Sequence, residues 1–324
     1  MDVFADILEF TRIAGRAGRA ELRAPWDLRF RPGAEAAFAH VTQGSCVLRT
    51  ADPQSAVVLS QGDLALLPHG TGHELSSIDG GAPVDFAHVW SETDPDGTLR
   101  LGGSGDACII IWGAYCFAEV TQNPLLEVLP PQIVFSADQI SRDRALGATL
   151  QNLGIEITEP RPGGAAVARR LVDILFVELI RNWSERMPES HRGWLLALRD
   201  KRVGLALSRI HAEPAHDWTV DALAREVALS RAAFAKRFTQ LVGVGPVSYL
   251  TAWRMQLAAR LLRTTDLSVA EIASRVGYES EFSFSRAFRR AWQSAPSHYR
   301  RKVPHGQSTP AQGRPDVSRD QWVG

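Results

Sequence analysis

The sequence has few cysteines, no long apolar run and no net charge, and each absence narrows the class of protein. Three cysteines among 324 residues are too few, and odd in number, for a disulfide framework. A membrane-spanning helix needs about 18 consecutive apolar residues, and the chain contains no such run. The N-terminal segment MDVFADILEF carries acids where a signal peptide carries Lys or Arg. We therefore expect a cytoplasmic protein that is neither secreted nor embedded in a membrane.

The net charge is zero, because 36 Lys and Arg residues balance 36 Asp and Glu residues. The charged residues are unevenly distributed along the chain. Residues 1–200 hold 17 basic and 26 acidic side chains, a balance of −9, whereas residues 201–302 hold 17 and 8, a balance of +9. The last 22 residues hold two of each. A basic domain joined to an acidic one indicates an anionic partner such as nucleic acid for the C-terminal part.

Length and sequence pattern predict an α+β protein of two main domains. Short apolar runs between turn residues predict a β-sandwich or barrel over residues 1–135. Helical periodicity predicts a helical connection over residues 136–199 and an all-α domain over residues 200–302. The end of the chain, residues 303–324, is rich in Pro, Gly and polar residues and is expected to be disordered.

The all-α part contains an internal repeat. Each copy predicts a helix, a tight turn and a second helix, over residues 219–240 and 268–291. Phe234 and Phe238 of the first copy recur as Phe284 and Phe288 of the second, and their spacing of four predicts one buried face on each second helix. The opposite faces carry short, polar and cationic side chains, which suit a DNA major groove. Two copies with a +9 balance favour DNA binding over a solvated helical bundle.

Residues 200–301 resemble the DNA-binding domain of AraC-type transcriptional regulators, in the motifs WTVDALAREVALSRAAFAKRF, SVAEIASRVGYESEFSFSRAFRRAW and PSHYR. One departure is Gln293, where the family usually has the glycine that the first copy keeps as Gly243. The resemblance implies that the second helix of each unit enters one of two adjacent major grooves of double-stranded DNA. The residues expected in the grooves are Ala232, Lys236 and Arg237 in the first and Glu281, Ser283 and Arg286 in the second. The residues expected to contact phosphates are Ser230, Arg231, Arg254, Arg289 and Arg290.

The N-terminal part carries a second resemblance. Gly62, Pro68, Gly70 and His73 have the spacing GxxxxxPxGxxH, which resembles the second motif of cupin barrels. The segment FAHVTQGSCVLR, with His40, resembles a reduced first motif. The expected architecture is therefore a cupin-like β-barrel plus helices, followed by an all-α domain with two helix-turn-helix units. The whole chain resembles the AraC-type subgroup that combines these domains.

The cupin motifs bear on cofactors. In metal cupins the first motif supplies two histidines and a glutamate, and the second supplies a third histidine. Here His40 is the only histidine near the first motif and the glutamate is missing. We therefore expect no metal or other cofactor, with His40 and His73 as the ligands if a metal were bound. An organic effector is the expected occupant of a pocket formed by His40, His73 and Trp90.

Two features are open to alternatives. The helix over residues 165–183 can pack against a second copy of the chain or against its own barrel. Cys108 and Cys116, eight residues apart, are candidates for a redox switch. A reactive thiol needs solvent access and a depressed pKa, so buried apolar packing is the alternative for both residues.

The main hypothesis is a sequence-specific transcription factor, not an enzyme, controlled by a small-molecule or redox signal at the cupin-like domain. Its expected partners are promoter DNA, RNA polymerase, an unknown small-molecule effector and, in a homodimer, a second copy of the chain. One alternative is a cupin enzyme, such as a metal-dependent dioxygenase, fused to a DNA-binding domain. Another is a dimerisation module without a ligand. The sequence leaves open the effector, the operator and the sign of regulation.

Overall fold

A computed structural model describes residues 13–33, 35–90, 98–117, 129–159, 161–186, 197–198 and 200–302. Within these ranges the chain forms eleven strands, eleven α-helices and one short 3-10 helix (Pro53–Ser55). The strands, in chain order, are β1 (Ile13–Arg23), β2 (Asp27–Phe30), β3 (Glu35–Gln43), β4 (Ser45–Thr50), β5 (Val57–Ser60), β6 (Leu64–Leu67), β7 (His73–Ser76), β8 (Pro83–Asp85), β9 (Thr98–Gly102), β10 (Ala107–Phe117) and β11 (Ile133–Phe135). The expected C-terminal tail, residues 303–324, lies outside the described residues.

The strands form two sheets that face each other. The first sheet has six strands in the order β11-β6-β3-β10-β1-β9, and the second has five in the order β5-β4-β7-β2-β8. Each sheet combines strands that are distant in sequence: β1 pairs along its whole length with β10, for example, from Ile13 opposite Phe117 to Arg23 opposite Ala107. The β-rich N-terminal domain of the sequence prediction is confirmed.

Alternation along the strands divides the apolar residues between two cores, because successive side chains of a strand point to opposite faces. On β3, Ala39 and Val41 belong to the core between the two sheets. Ala36 and Phe38, on the same strand, belong to a second core on the outer face of the first sheet. Both faces of the six-stranded sheet are therefore buried.

A short helix, α1 (Phe86–Trp90), follows β8 and contacts the second sheet. The helices that follow β11 cover the outer face of the first sheet: α2 (Ala137–Arg142), α3 (Arg144–Thr158) and α4 (Gly164–Arg186). Helix α4 buries Val172, Phe176 and Leu179 completely in the outer core, whereas Val167 and Ile174 are exposed. Of the two alternatives for this helix, the structure shows α4 packed against the barrel of its own chain. None of the described helices is long and apolar enough to cross a bilayer.

The C-terminal part is helical, and the long helix α8 joins its two halves. Tyr249 and Trp253 of α8 belong to the same apolar cluster as Phe234, whereas Met255 belongs to the cluster of Phe284. The helices are α5 (Val203–Ala212), α6 (Val220–Glu226), α7 (Arg231–Val242), α8 (Pro246–Thr264), α9 (Val269–Arg275), α10 (Glu281–Trp292) and α11 (Pro296–Lys302). The two pairs α6–α7 and α9–α10 therefore have separate cores on a shared helix.

The turns inside each pair require left-handed backbone. Ala228, between α6 and α7, has φ +51°, and Gly277, between α9 and α10, has φ +82°. The ends of α7 and α10 repeat this relation, with Gly243 at φ +87° and Gln293 at φ +50°. Glycine adopts such backbone without steric cost. The backbone is therefore strained at Ala228, which corresponds to Gly277, and at Gln293, which corresponds to Gly243.

Candidate DNA-binding surface and effector cavity

Helices α7 and α10 each bury one face and expose the other. Phe234 and Phe238 of α7 are completely buried, as are Phe284 and Phe288 of α10. A serine begins each helix: Ser230 accepts a hydrogen bond from the N–H of Ala233. Such caps satisfy backbone N–H groups that the first turn leaves without partners. Exposed on the two helices are the sequence-predicted residues Arg231, Ala232, Lys236, Arg237, Glu281, Ser283, Arg286, Arg289 and Arg290.

Two arginines of α7 pair with carboxylates from other elements. Arg231 lies 3.1 Å from Asp221, on the first helix of the same pair. Arg237 donates through Nε to Asp200, which precedes α5, over 3.0 Å. Burial would raise the pKa of the Asp200 carboxyl, but Arg237 and the backbone N–H groups of Val203 and Arg202 lower it below the usual range. Asp200 is therefore ionised at neutral pH and places a negative charge beside the candidate DNA surface.

Arg254 on α8 occupies a different environment from the other predicted phosphate contacts. Its Nε donates to the carbonyl oxygen of Pro214 over 2.7 Å, and one terminal nitrogen donates to that of His216 over 2.9 Å. The guanidinium lies 5.8 Å from the ring centre of Tyr278, and burial lowers its pKa. Arg254 thus connects α8 to the segment before α6 and to the second helical pair.

The exposed surface of α10 includes an aromatic residue that the sequence analysis did not select. Phe282 exposes 80% of its surface next to Glu281 and Ser283. Residues two apart on a helix are separated by about 200°, so Phe282 cannot share the buried face of Phe284. Helical periodicity was the signal that could have identified it. An exposed aromatic beside polar groups suits apolar contact with a thymine methyl group.

A cavity of about 470 Å³ lies between the two sheets of the N-terminal domain. The cavity exists because small side chains lie opposite each other on two neighbouring strands, Ala39 on β3 and Ala65 on β6. On the other side of β3, Ala39 lies opposite Trp112 of β10. Phe30, Phe86 and Trp112 contribute aromatic walls. A largely apolar cavity with a few polar groups is typical of small-molecule sites.

His73 is the buried histidine of this cavity. Its Nδ1 lies 2.9 Å from the carbonyl oxygen of Thr71, and its ring stacks on Phe30 with centroids 4.4 Å apart. Burial lowers its pKa. The imidazole is therefore neutral at neutral pH.

The structure does not bring the three predicted pocket residues together. His40 lies opposite Ile111 and Leu64, both of the outer core, so its side chain is on the face of β3 that points away from the cavity. Its Nδ1 is 3.1 Å from the carbonyl oxygen of Asp63, and burial lowers its pKa. The side chain of Trp90 lies outside the described residues. Among the described residues, no three His, Cys, Asp or Glu side chains are grouped so that they could hold a metal.

Cys108 lies beside Cys46 in the core between the sheets, and both are buried free thiols. The hydrogen bond between them, together with burial, raises the pKa of Cys46, whereas the same hydrogen bond lowers the pKa of Cys108. A reactive thiol also needs solvent access, which burial denies to Cys108. The side chain of Cys116, the other redox candidate, lies outside the described residues.

Comparison with known proteins connects both parts of the chain to characterised families. Residues 2–185 match a family model described as "Cupin", and residues 223–302 match one described as "Helix-turn-helix domain". A "Putative AraC-like transcription regulator" of Streptomyces lividans is 35% identical over 93% of this chain and 98% of its own. A protein of the same description from Streptomyces antibioticus is 34% identical over 93% and 99%. The "HTH-type transcriptional regulator AlkR" of Acinetobacter baylyi is 31% identical over 83% and 89%.

Proposed function

Because the chain belongs to the cupin-bearing family of AraC-type transcription regulators, we propose that it binds promoter DNA sequence-specifically through two helix-turn-helix units. In this proposal α7 and α10 enter adjacent major grooves, where Lys236 and Arg286 read bases. The observation that carries it is the pair of exposed helix faces, each opposite two buried phenylalanines and each begun by a serine.

The charge distribution supports the same assignment. Residues 201–302 carry a balance of +9 and residues 1–200 one of −9. Lys and Arg side chains that neutralise phosphates release the counterions condensed on the DNA. The affinity of the protein for DNA therefore falls steeply as the salt concentration rises. The acidic N-terminal domain is repelled by phosphates and stays off the duplex. We expect strong salt dependence from a protein whose net charge is zero, and a flat dependence between low and moderate salt contradicts the proposal.

The direct test begins with selection of bound fragments from a pool of genomic DNA by the full-length protein. Alanine at Lys236 or Arg286 should then cost about 1–3 kcal/mol of binding free energy on the selected site if each reads a base. Arg142, exposed on α2 and paired with Asp138, provides a matched control at which alanine should leave affinity unchanged. Unchanged affinity in both K236A and R286A removes these residues from the reading surface.

Regulation in this proposal comes from the N-terminal domain. A small molecule in the cavity between the sheets shifts the population of conformations and thereby changes DNA occupancy or contact with RNA polymerase. The full-length relatives are described as transcription regulators, which favours this sensing role over catalysis. Comparison of transcription from a selected promoter with and without the protein gives the sign of regulation.

A further inference from the structure

We propose that the cavity between the two sheets binds an uncharged aromatic molecule that carries a hydroxyl group. The proposal rests on the function proposed above only for its regulatory consequence, because it names the chemical class of the effector. The binding itself follows from the shape, the walls and the polar groups of the cavity.

The cavity has the dimensions of a site for a small organic ligand. Its volume of about 470 Å³ falls in the range of roughly 300–1,000 Å³ that is usual for such sites. Ala39 and Ala65 face each other across β3 and β6, where larger residues would fill the space between the sheets. Leu48 and Leu75 of the opposite sheet also line it. The core therefore leaves a hollow between two otherwise well-packed layers.

Part of the wall of the hollow is aromatic, with rings from both sheets. Phe30 stacks on His73, with ring centroids 4.4 Å apart, and on Phe86, with centroids 4.5 Å apart. Phe86 in turn meets Trp112 edge-on at 5.2 Å. All four rings line the cavity. Aromatic groups favour stacked and edge-on contacts with one another, so this wall suits a planar ring.

His73 determines the polar group that the ligand carries. A carbonyl oxygen can only accept a hydrogen bond, so the Nδ1 atom facing Thr71 must bear the proton. Because the imidazole is neutral, its Nε2 is then an acceptor. Among the residues that the structure describes, Nε2 has no hydrogen-bond partner. An acceptor without a partner in the lining of a largely apolar cavity is satisfied by a hydroxyl donor on the ligand.

Charge at the mouth of the cavity disfavours an anionic ligand. Arg16 and Arg31 line the cavity, but each pairs with a carboxylate that also lines it, Glu35 and Asp85 respectively. Each cation is thus compensated within the site. A carboxylate ligand would lose its hydration without gaining an uncompensated positive charge, whereas a neutral phenol-type molecule has no such cost.

The proposal can be tested by calorimetric titration of the full-length protein with three probes of one shape at pH 7. 2-Naphthol has the hydroxyl donor, 2-methoxynaphthalene lacks it, and 2-naphthoate carries a negative charge. We expect 2-naphthol to bind about five- to tenfold more tightly than the methoxy compound, the equivalent of one neutral hydrogen bond. The naphthoate should bind more weakly than both.

Two variants locate the binding. His73→Phe keeps a ring stacked on Phe30 but removes the hydrogen-bond acceptor. The variant should therefore bind 2-methoxynaphthalene as tightly as the wild-type protein does, and it should bind 2-naphthol no more tightly than 2-methoxynaphthalene. Ala39→Leu fills the cavity and should abolish binding of all three, whereas Ala56→Leu, at an exposed site before β5, is the matched control. Thermal denaturation identifies any variant that fails to fold.

Tighter binding of 2-naphthoate than of 2-naphthol overturns the proposal, as does the absence of binding by the folded wild-type protein or an undiminished preference for 2-naphthol in His73→Phe. Affinity for a selected DNA site is measured on the same protein without probe. DNA binding without naphthol binding refutes the cavity assignment alone. Naphthol binding without DNA binding refutes the regulatory function and leaves the cavity chemistry in place.

Discussion

His211 makes the stability of the C-terminal domain dependent on pH in a way that can be calculated. The residue lies in α5 and is 5% exposed. Its ring stacks on Trp253 with centroids 3.8 Å apart, and Nε2 lies 2.9 Å from the hydroxyl oxygen of Tyr249. Burial lowers its pKa to about 3 from the ordinary value of 6.5. The folded protein therefore holds a neutral imidazole well below neutral pH.

The direction of the effect follows from comparison of the two states. Below pH 6.5 the unfolded chain binds a proton at His211, whereas the folded chain does not until the pH approaches 3. Stability from this residue is thus complete above pH 6.5 and is lost as the pH falls. The loss amounts to about 1.4 kcal/mol per pH unit, so lowering the pH from 8 to 5 should cost on the order of 2 kcal/mol in the free energy of unfolding.

Urea unfolding of wild-type protein and of His211→Gln at pH 8, 7, 6 and 5, followed by circular dichroism, measures this contribution. His40 and His73 also have lowered pKa values, but both proteins retain them and their effect cancels in the difference. Wild-type should lose about 2 kcal/mol more than the variant between pH 8 and 5. His216→Gln, at an exposed histidine, should behave as wild-type. Equal pH dependence in wild-type and His211→Gln would refute the reasoning.

Three further predictions concern the helical pairs. Gln293→Gly should raise the free energy of unfolding by about 0.5–1 kcal/mol by removing left-handed strain. Gly243→Ala should lower it, because alanine is strained at φ +87°; the added Cβ has no neighbour within 4 Å, so backbone strain is the whole effect. Urea unfolding measures both. Phe282→Ala should weaken binding to a selected site about three- to tenfold at unchanged melting temperature, and unchanged affinity in competitive gel shifts would remove Phe282 from the interface. Asp200→Asn should release Arg237 and steepen the dependence of affinity on salt; an identical slope in wild-type and variant would show that Arg237 stays away from phosphate.

The features that sequence reasoning identified are local ones. Phe284 and Phe288 are one turn apart, so their burial on one face of α10 follows from helix geometry. The strain at Ala228 was likewise foreseeable, since the matching position of the second copy is Gly277. Repetition within one chain made these local signals unambiguous.

Apart from Phe282, the features that sequence reasoning missed depend on partners far along the chain. Arg237 meets Asp200 across 37 residues, and Arg254 meets Pro214 across 40, so neither arginine's environment could be inferred from its own helix. His40 and His73 both belong to cupin-like motifs, yet only the pairing of β3 with β6 and β10 decides which face His40 occupies. A shift of one residue along a strand reverses that face.

The two-domain organisation, the repeated helical pairs and the charge asymmetry thus follow from the order of residues alone, because periodicity and composition act over a few residues or over whole segments. The cavity, in contrast, arises only in the folded chain. It depends on Ala39 and Ala65 meeting across a sheet, on Phe30 and Trp112 approaching from opposite sheets, and on the Thr71 carbonyl that orients His73. A hollow is a property of packing between distant segments, and no local pattern encodes it.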